Sequence, residues 1–412
     1  MLRRGARQVL EGAGSSPLVF LYWFLWSTHG EFFRITLSGH GSLSAIAGMF
    51  YGPTWLVVAV LARTTGARGH RWPRRMAWIL AYLAWVGISL LWTFAENRIF
   101  AAALYVSMAA DVAAALILLS DKRSFRSSIN GIIAGALAIA ALTAVQLIIN
   151  PDAFQMEHLG IQEDTGANPN LFGYHLSIGA LACYFLALNG RKWMLLPALA
   201  LTAALIATTS KTSILVFAVV MVFYLVTARA AGRAKTVAIA ALLVAGCLAA
   251  PYAAGYLLAY ESSNTAGSLT GRIPLWLSLA GRAAERPFLG YGFMSVKDIS
   301  DSLWGAMHAH NDLLQLWVTL GIPGLALAII LYALVWRRLR SSESQFAALG
   351  LLWLLFAIGH GLADSDELAL GFPVQMMALF FYPLPMRIIG AARRAKRRLF
   401  IGRPEGSGLQ SE

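Results

Sequence analysis

Between His308 and Gln315 the chain sets five side chains that can hold or move a proton: His308, His310, Asn311, Asp312 and Gln315. A histidine with its ordinary pKa of about 6.5 can take a proton from a hydroxyl near neutral pH, so His310 is a candidate general base. A helix beginning near Asn311 would put Asp312 and Gln315 on one face, and its N-terminal dipole would favour an anion beside His310. The same residues could equally make an interfacial histidine and a helix cap, so both readings stand on these residues alone. Nine residues separate Asn311 from Gly321-Ile322-Pro323-Gly324. There the glycines suit close helix packing and the proline a kink.

The elements around this cluster are dictated by composition. Of 412 residues, 58% are hydrophobic and 13% charged, against about 25% charged in a soluble chain. A hydrocarbon core of about 30 Å needs about 20 apolar residues of helix, and such segments recur along the whole length. The expected fold class is an all-α polytopic membrane protein with about twelve transmembrane helices, residues 1–412 forming a single transmembrane domain. The expected spans are Pro17–Leu37, Ser44–Ala62, Met76–Trp92, Ile99–Leu119, Ile129–Ile149 and Leu171–Leu188, followed by Lys192–Thr208, Thr212–Ala228, Thr236–Leu258, Asp312–Trp336, Phe346–Ala363 and Leu368–Ile388. The first run follows Arg3, Arg4 and Arg7 but has no small-residue cleavage site, so it reads as a retained helix. Cys183 and Cys247 both fall inside spans, as ordinary buried thiols do.

A net charge of +13 would suit nucleic acid, but the positions of the basic residues account for it otherwise. With the N-terminus cytoplasmic, 26 of the 33 Lys and Arg residues fall on one side of the spans, which is the positive-inside bias. Both termini are therefore expected in the cytoplasm, and no nucleic-acid partner is needed. Seven cations fall on the other side: Arg34, Arg98, Lys211, Arg272, Arg282, Arg286 and Lys297. Cations on the translocated side oppose the orientation bias, so Lys211, Arg272 and Arg286 invite an anionic ligand, against the alternative of snorkelling or ion pairing. Arg34 is explained by Glu31, three residues away on the same helical face.

Two connections are long, and both fall outside. One is 150–170; the other, 259–311, lies between the ninth and tenth spans and is expected to be partly helical, with Thr270–Arg282 amphipathic and folded onto the membrane surface. The first carries Glu163-Asp164, a weak metal motif in the absence of neighbouring histidines. Asp364 and Asp366, in the last outside turn, could orient His310 or an arginine, or could be solvated turn carboxylates; His360 reads as a polar residue within the bundle.

With these pieces placed, His310-Asn311, nine residues and Gly321-Ile322-Pro323-Gly324 resemble the signature of the O-antigen ligase and polymerase family of bacterial surface-polysaccharide assembly. Asn168-Pro169-Asn170, Thr209-Ser210-Lys211, Gly271-Arg272 with Trp276, and Pro287-Phe288-Leu289-Gly290-Tyr291-Gly292-Phe293 are similar to that family in the same order, over most of residues 165–325. Where the family usually has arginine this chain has Lys211, a point charge in place of a bidentate fork. The resemblance implies an inverting, metal-independent glycosyltransferase without a cofactor, in the bacterial inner membrane with its active site facing the periplasm. Its donor would be undecaprenyl-diphosphate-linked O-antigen and its acceptor lipid A-core. His310 would be the base; Arg272, Arg286 and Lys211 would hold the donor diphosphate; Asn311, Asn170, His308 and Trp276 would support them, with Asp364 a further candidate. One dominant outside loop favours a ligase over a polymerase. A flippase or permease for lipid-linked sugar is the alternative from another class, and Asp111, midway along the fourth span, is its best support.

Overall fold

The computed structural model describes residues 16–36, 41–64, 76–119, 122–149, 168–227, 272–300, 308–342, 344 and 346–364. Among these residues the fold is all helix, with no strand. In chain order the helices are α1 (Pro17–Thr36), α2 (Gly41–Thr64), α3 (Met76–Ser89), α4 (Arg98–Leu118), α5 (Lys122–Ile149) and α6 (Pro169–Leu188). They continue with α7 (Leu195–Ala207), α8 (Lys211–Thr227), α9 (Arg272–Glu285), α10 (Val296–Ile299), α11 (Asp312–Arg340) and α12 (Phe346–Gly361). Helices α4, α5, α6 and α11 are long and apolar enough to cross a membrane; α1, α2, α3, α7, α8 and α12 contribute shorter apolar stretches. Ten of the twelve expected spans thus coincide with described helices, while Thr236–Leu258 and Leu368–Ile388, with Cys247, lie outside the described residues.

Helix α6 is the hub. It is buried along nearly its whole length and packs against α5, α7, α8 and α12. Trp353 of α12 donates its indole N–H to the Ile178 carbonyl at 2.9 Å, giving a buried donor the partner it needs. Helix α1 lies along α5, where Gly131 and Gly135 let the backbones at Phe20 and Phe24 come close. Outward faces carry Leu91, Ile148, Leu196 and Val226, all largely exposed, as suits contact with lipid chains.

Helix α11 departs from the expected single span. At Gly321 the backbone turns to φ +66°, ψ −172°, so a first half, 312–320, meets a second half beginning at Ile322. Breaking a helix within a membrane protein strands carbonyls and N–H groups that lipid cannot satisfy. Here the Pro287–Phe293 segment satisfies them. Tyr291 N–H donates to the Val318 carbonyl at 2.8 Å, Gly292 N–H to that of Thr319 at 2.7 Å, and Ile322 N–H to that of Pro287 at 2.8 Å. Trp85 of α3 donates to the Leu320 carbonyl at 2.9 Å. The two glycine-containing stretches singled out in the sequence are therefore the two halves of one joint. Hydropathy could not reveal the break because the residues around Gly321 remain apolar.

A Cβ at position 321 would collide with the Phe288 carbonyl and would sit at a φ that L residues resist. Gly321→Ala should destabilise the purified protein by about 2 kcal/mol or more, seen as a lower midpoint of thermal unfolding in detergent. Gly281→Ala is the control: nothing lies within 4 Å of its added methyl on exposed α9, and helix propensity predicts a gain of up to about 1 kcal/mol.

The charge pattern also organises the fold. Segments assigned to the outside gather at one end of the bundle. Phe94 N–H donates to the Tyr291 carbonyl, Ser210 meets Asn170, and Asn311 reaches Leu362. Segments assigned to the inside meet elsewhere, where Phe346 packs on Phe125 and Phe185. The amphipathic α9 begins and ends close to where it is expected. It lays Leu275, Leu279 and Ala283 into a small second core with Tyr291, Val296, Ile299, Ala309 and Val318, so its apolar face covers the first half of α11.

Candidate active site

His310 sits immediately before α11 with φ +50°, one of three non-glycine residues with positive φ among the described residues; Thr209 is another. Such a conformation costs of order 1 kcal/mol or more and persists only where its surroundings over-determine it. They do so here. The Ala309 N–H donates to Gln315 Oε1 at 2.7 Å, and its carbonyl accepts from Trp276 Nε1 at 2.9 Å, so the loop between the two histidines is clamped on both sides. Asn311 caps α11 by accepting from Leu314 N–H at 3.0 Å, and it donates from Nδ2 to the Leu362 carbonyl at 2.9 Å. Trp276, Gln315 and Asn311 therefore hold the histidine loop in place.

Asp364, just beyond α12, lies with its Oδ1 3.3 Å from His310 Nδ1. The carboxylate side chain is 1% exposed and the imidazole 30%. Burial opposes ionisation of Asp364, but the His310 hydrogen bond and the nearby His360 and His308 rings outweigh it and hold the carboxyl well below its usual range. With the imidazole proton on Nδ1 and shared with Asp364, Nε2 keeps its lone pair for a proton from a substrate. The His308 ring lies edge-on to that of His310, centroids 4.2 Å apart. Donor atoms of His308, His310 and Asp364 all fall within 4.8 Å of one another. The last outside turn thus completes the histidine cluster from 54 residues away, through Asp364. Its neighbour Asp366, and Glu163 and Asp164 of the first long loop, lie outside the described residues.

A second polar chain adjoins the first. Asn168 caps α6 by accepting from the N–H groups of Asn170 and Leu171. Asn170 Oδ1 is 2.8 Å from Ser210 Oγ, which is 2.9 Å from Ser213 Oγ, itself 3.0 Å from His360 Nε2. His360 in turn accepts the Asp364 N–H at its carbonyl. Lys211 stands at the start of α8 beside this chain, half-buried, and the Arg272 guanidinium acts electrostatically on both Lys211 and His360. Two cations, a histidine–carboxylate pair and an asparagine–serine–histidine chain are thereby joined at one end of the bundle.

Arg286 is placed differently. Its guanidinium lies 4.4 Å over the Phe94 ring and 5.2 Å from that of Tyr291, a cation–π arrangement on the joint that closes α11. Ser210, Ser213 and His360 were not singled out from sequence as site residues. Ser210 stood within the Thr209-Ser210-Lys211 stretch and His360 read as a polar residue of the bundle, and the signal common to all three is that they are polar near the ends of apolar helices. Asp111 accepts a hydrogen bond from Tyr22 at 2.9 Å between α1 and α4, which gives this buried carboxylate a structural role. The side chains of Glu31 and Arg34 lie outside the described residues.

An all-helical multi-pass membrane protein with a polar, cation-bearing site at one end of its bundle is the class these features define. Residues 195–329 match the sequence model of the family described as O-antigen ligase. That stretch carries Lys211, Arg272, Trp276, Arg286, His308, His310 and Asn311. No curated protein matches the chain in sequence.

Proposed function

We propose that this protein is an O-antigen ligase, an inverting glycosyltransferase that moves O-antigen from undecaprenyl diphosphate to lipid A-core at the periplasmic face of the bacterial inner membrane, with both termini cytoplasmic. The observation that carries the proposal is the pairing of His310 with the buried Asp364, with His310, Arg272 and Lys211 all inside the stretch that matches the family. In the reaction the acceptor hydroxyl attacks the anomeric carbon opposite the diphosphate. Its proton passes to His310 Nε2, and the bond from that carbon to the phosphate oxygen breaks. Arg272 and Lys211 stabilise the charge growing on the departing diphosphate, so no metal is required for that task. Arg286, engaged with Phe94, is the third cation and is expected to contribute less. Asp364 fixes the imidazole tautomer and Asn311, Trp276 and Asn170 position the loops; these are positioning residues, as is His308.

Purified protein supplied with donor alone, or with donor plus lipid A-core, tests the proposal. Glycan appearing on lipid A-core is the expected product, whereas lengthening of the lipid-linked glycan in both mixtures would assign a polymerase, and no transfer in either would return the question to transport.

Asp364→Asn tests the pairing. Without the carboxylate the imidazole is no longer held in one tautomer, so kcat should fall about 10- to 100-fold. Asp364 itself is held below its usual range. The stability it contributes is therefore fully present above the ordinary unfolded value of about 3.9 and is lost only as pH falls below that towards the folded value. A kcat unchanged in Asp364→Asn would separate Asp364 from the base.

A further inference from the structure

The arrangement of His308, His310 and Asp364 suits a second kind of ligand. We infer that these three residues form a binding site for a borderline divalent metal ion of the Zn²⁺ type, and that occupancy of this site switches off transfer. The consequence for transfer rests on His310 being the base, as proposed above; the metal site does not.

Two imidazoles and one carboxylate are the donor set that favours zinc and its late-transition neighbours over Mg²⁺ or Ca²⁺, which prefer oxygen cages. Tetrahedral zinc with ligand bonds of about 2.0–2.1 Å has neighbouring donor atoms about 3.3 Å apart. His310 Nδ1 and Asp364 Oδ1 already stand 3.3 Å apart. The third donor, on His308, lies within 4.8 Å of both, so a small rotation of the half-buried His308 side chain closes the triangle. The backbone between the histidines is already fixed by Gln315 and Trp276 through Ala309, which lowers the ordering cost of binding. Three protein ligands leave a fourth position for water, the arrangement of an open zinc site. The charge on Arg272 is felt at the neighbouring His360 and opposes a cation here, so the ion should bind reversibly.

The blocking step follows from the ring chemistry. In the resting pair the proton is on Nδ1 and the lone pair on Nε2. A metal on Nδ1 takes the lone pair of that nitrogen and leaves the neutral imidazole protonated on Nε2. No net proton is gained or lost, but the nitrogen that must accept the hydroxyl proton now carries one. Transfer therefore stops without any part of the donor site being obstructed.

The test is Zn²⁺ binding to the full-length, tag-free protein in detergent, measured by competition with a chromophoric chelator, for the wild type and for His308→Ala, His310→Ala and Asp364→Ala. One Zn²⁺ per chain is expected, with affinity about 10-fold weaker or more in each variant, and Mg²⁺ should not compete. Three separate ligand variants guard against one failing to fold, and a Zn²⁺-dependent rise in the wild type's unfolding temperature that the variants lack gives a second readout. Absence of binding, or equal affinity in all variants, would overturn the site. In the transfer assay Zn²⁺ should inhibit and chelator should restore activity. Binding at this site with transfer undiminished would leave the metal site standing and count against His310 as the base.

Discussion

His310→Ala and His310→Asn will both lower glycan transfer by about 10²- to 10⁴-fold, the range for loss of a positioned acid or base. Asparagine is the sharper of the two variants because it tolerates the left-handed backbone that His310 adopts at φ +50°. A loss shared by both variants is therefore chemical and not conformational. The fold should survive, since the loop is held by Ala309, Trp276 and Gln315 and by the Asn311 cap, none of which needs the imidazole. Donor affinity, measured with labelled lipid-linked glycan, should stay within a few-fold of wild type. If instead donor binding collapsed with activity, His310 would be a binding residue and the base would have to be sought elsewhere.

Loss of the cations should be the next largest effect. Arg272→Ala is expected to reduce kcat by about 10²- to 10³-fold, the scale of removing one preorganised group that stabilises transition-state charge. Its guanidinium acts on both Lys211 and His360, so its charge reaches the asparagine–serine–histidine chain. Lys211→Ala should cost less than Arg272→Ala. Lys211→Arg should keep or raise activity, because the guanidinium fork can grip a phosphate through two hydrogen bonds where an ammonium acts as a point charge. The double variant should fall short of the product of the single losses, as expected for neighbours serving one anion. Arg286→Ala should be milder, acting through the Phe94 and Tyr291 contacts. Steady-state kinetics on the five variants check the order, and an Arg286→Ala loss equal to that of Arg272→Ala would contradict it.

Much of this was legible from residue order because membrane solvation imposes strict rules. Apolar length marked ten helices that the structure contains. The histidine cluster and the helix start at Asn311 were visible for the same reason: polar groups are costly beside lipid and stand out there. What stayed open or hidden was whatever depends on distant pairing. Asp364 meets His310 across 54 residues, and a turn carboxylate has no sequence feature that distinguishes a partner from a solvated group. Ser213 and His360 meet across 147 residues. The break at Gly321 was hidden because its stabilising partners, Tyr291, Gly292 and Pro287, act through backbone atoms, which no side-chain pattern encodes. Arg286 was grouped with Arg272 by proximity in sequence, yet α9 separates them along its length and leaves Arg286 on an aromatic joint.

The most direct measurement is the anomeric configuration of the new linkage, read by NMR on lipid A-core glycosylated by the purified protein in the presence of chelator. Direct displacement with His310 as base and Arg272 and Lys211 at the diphosphate predicts transfer under chelation, with the configuration inverted relative to the lipid-linked donor. A retained configuration, or transfer that stops when metal is withdrawn, would contradict it.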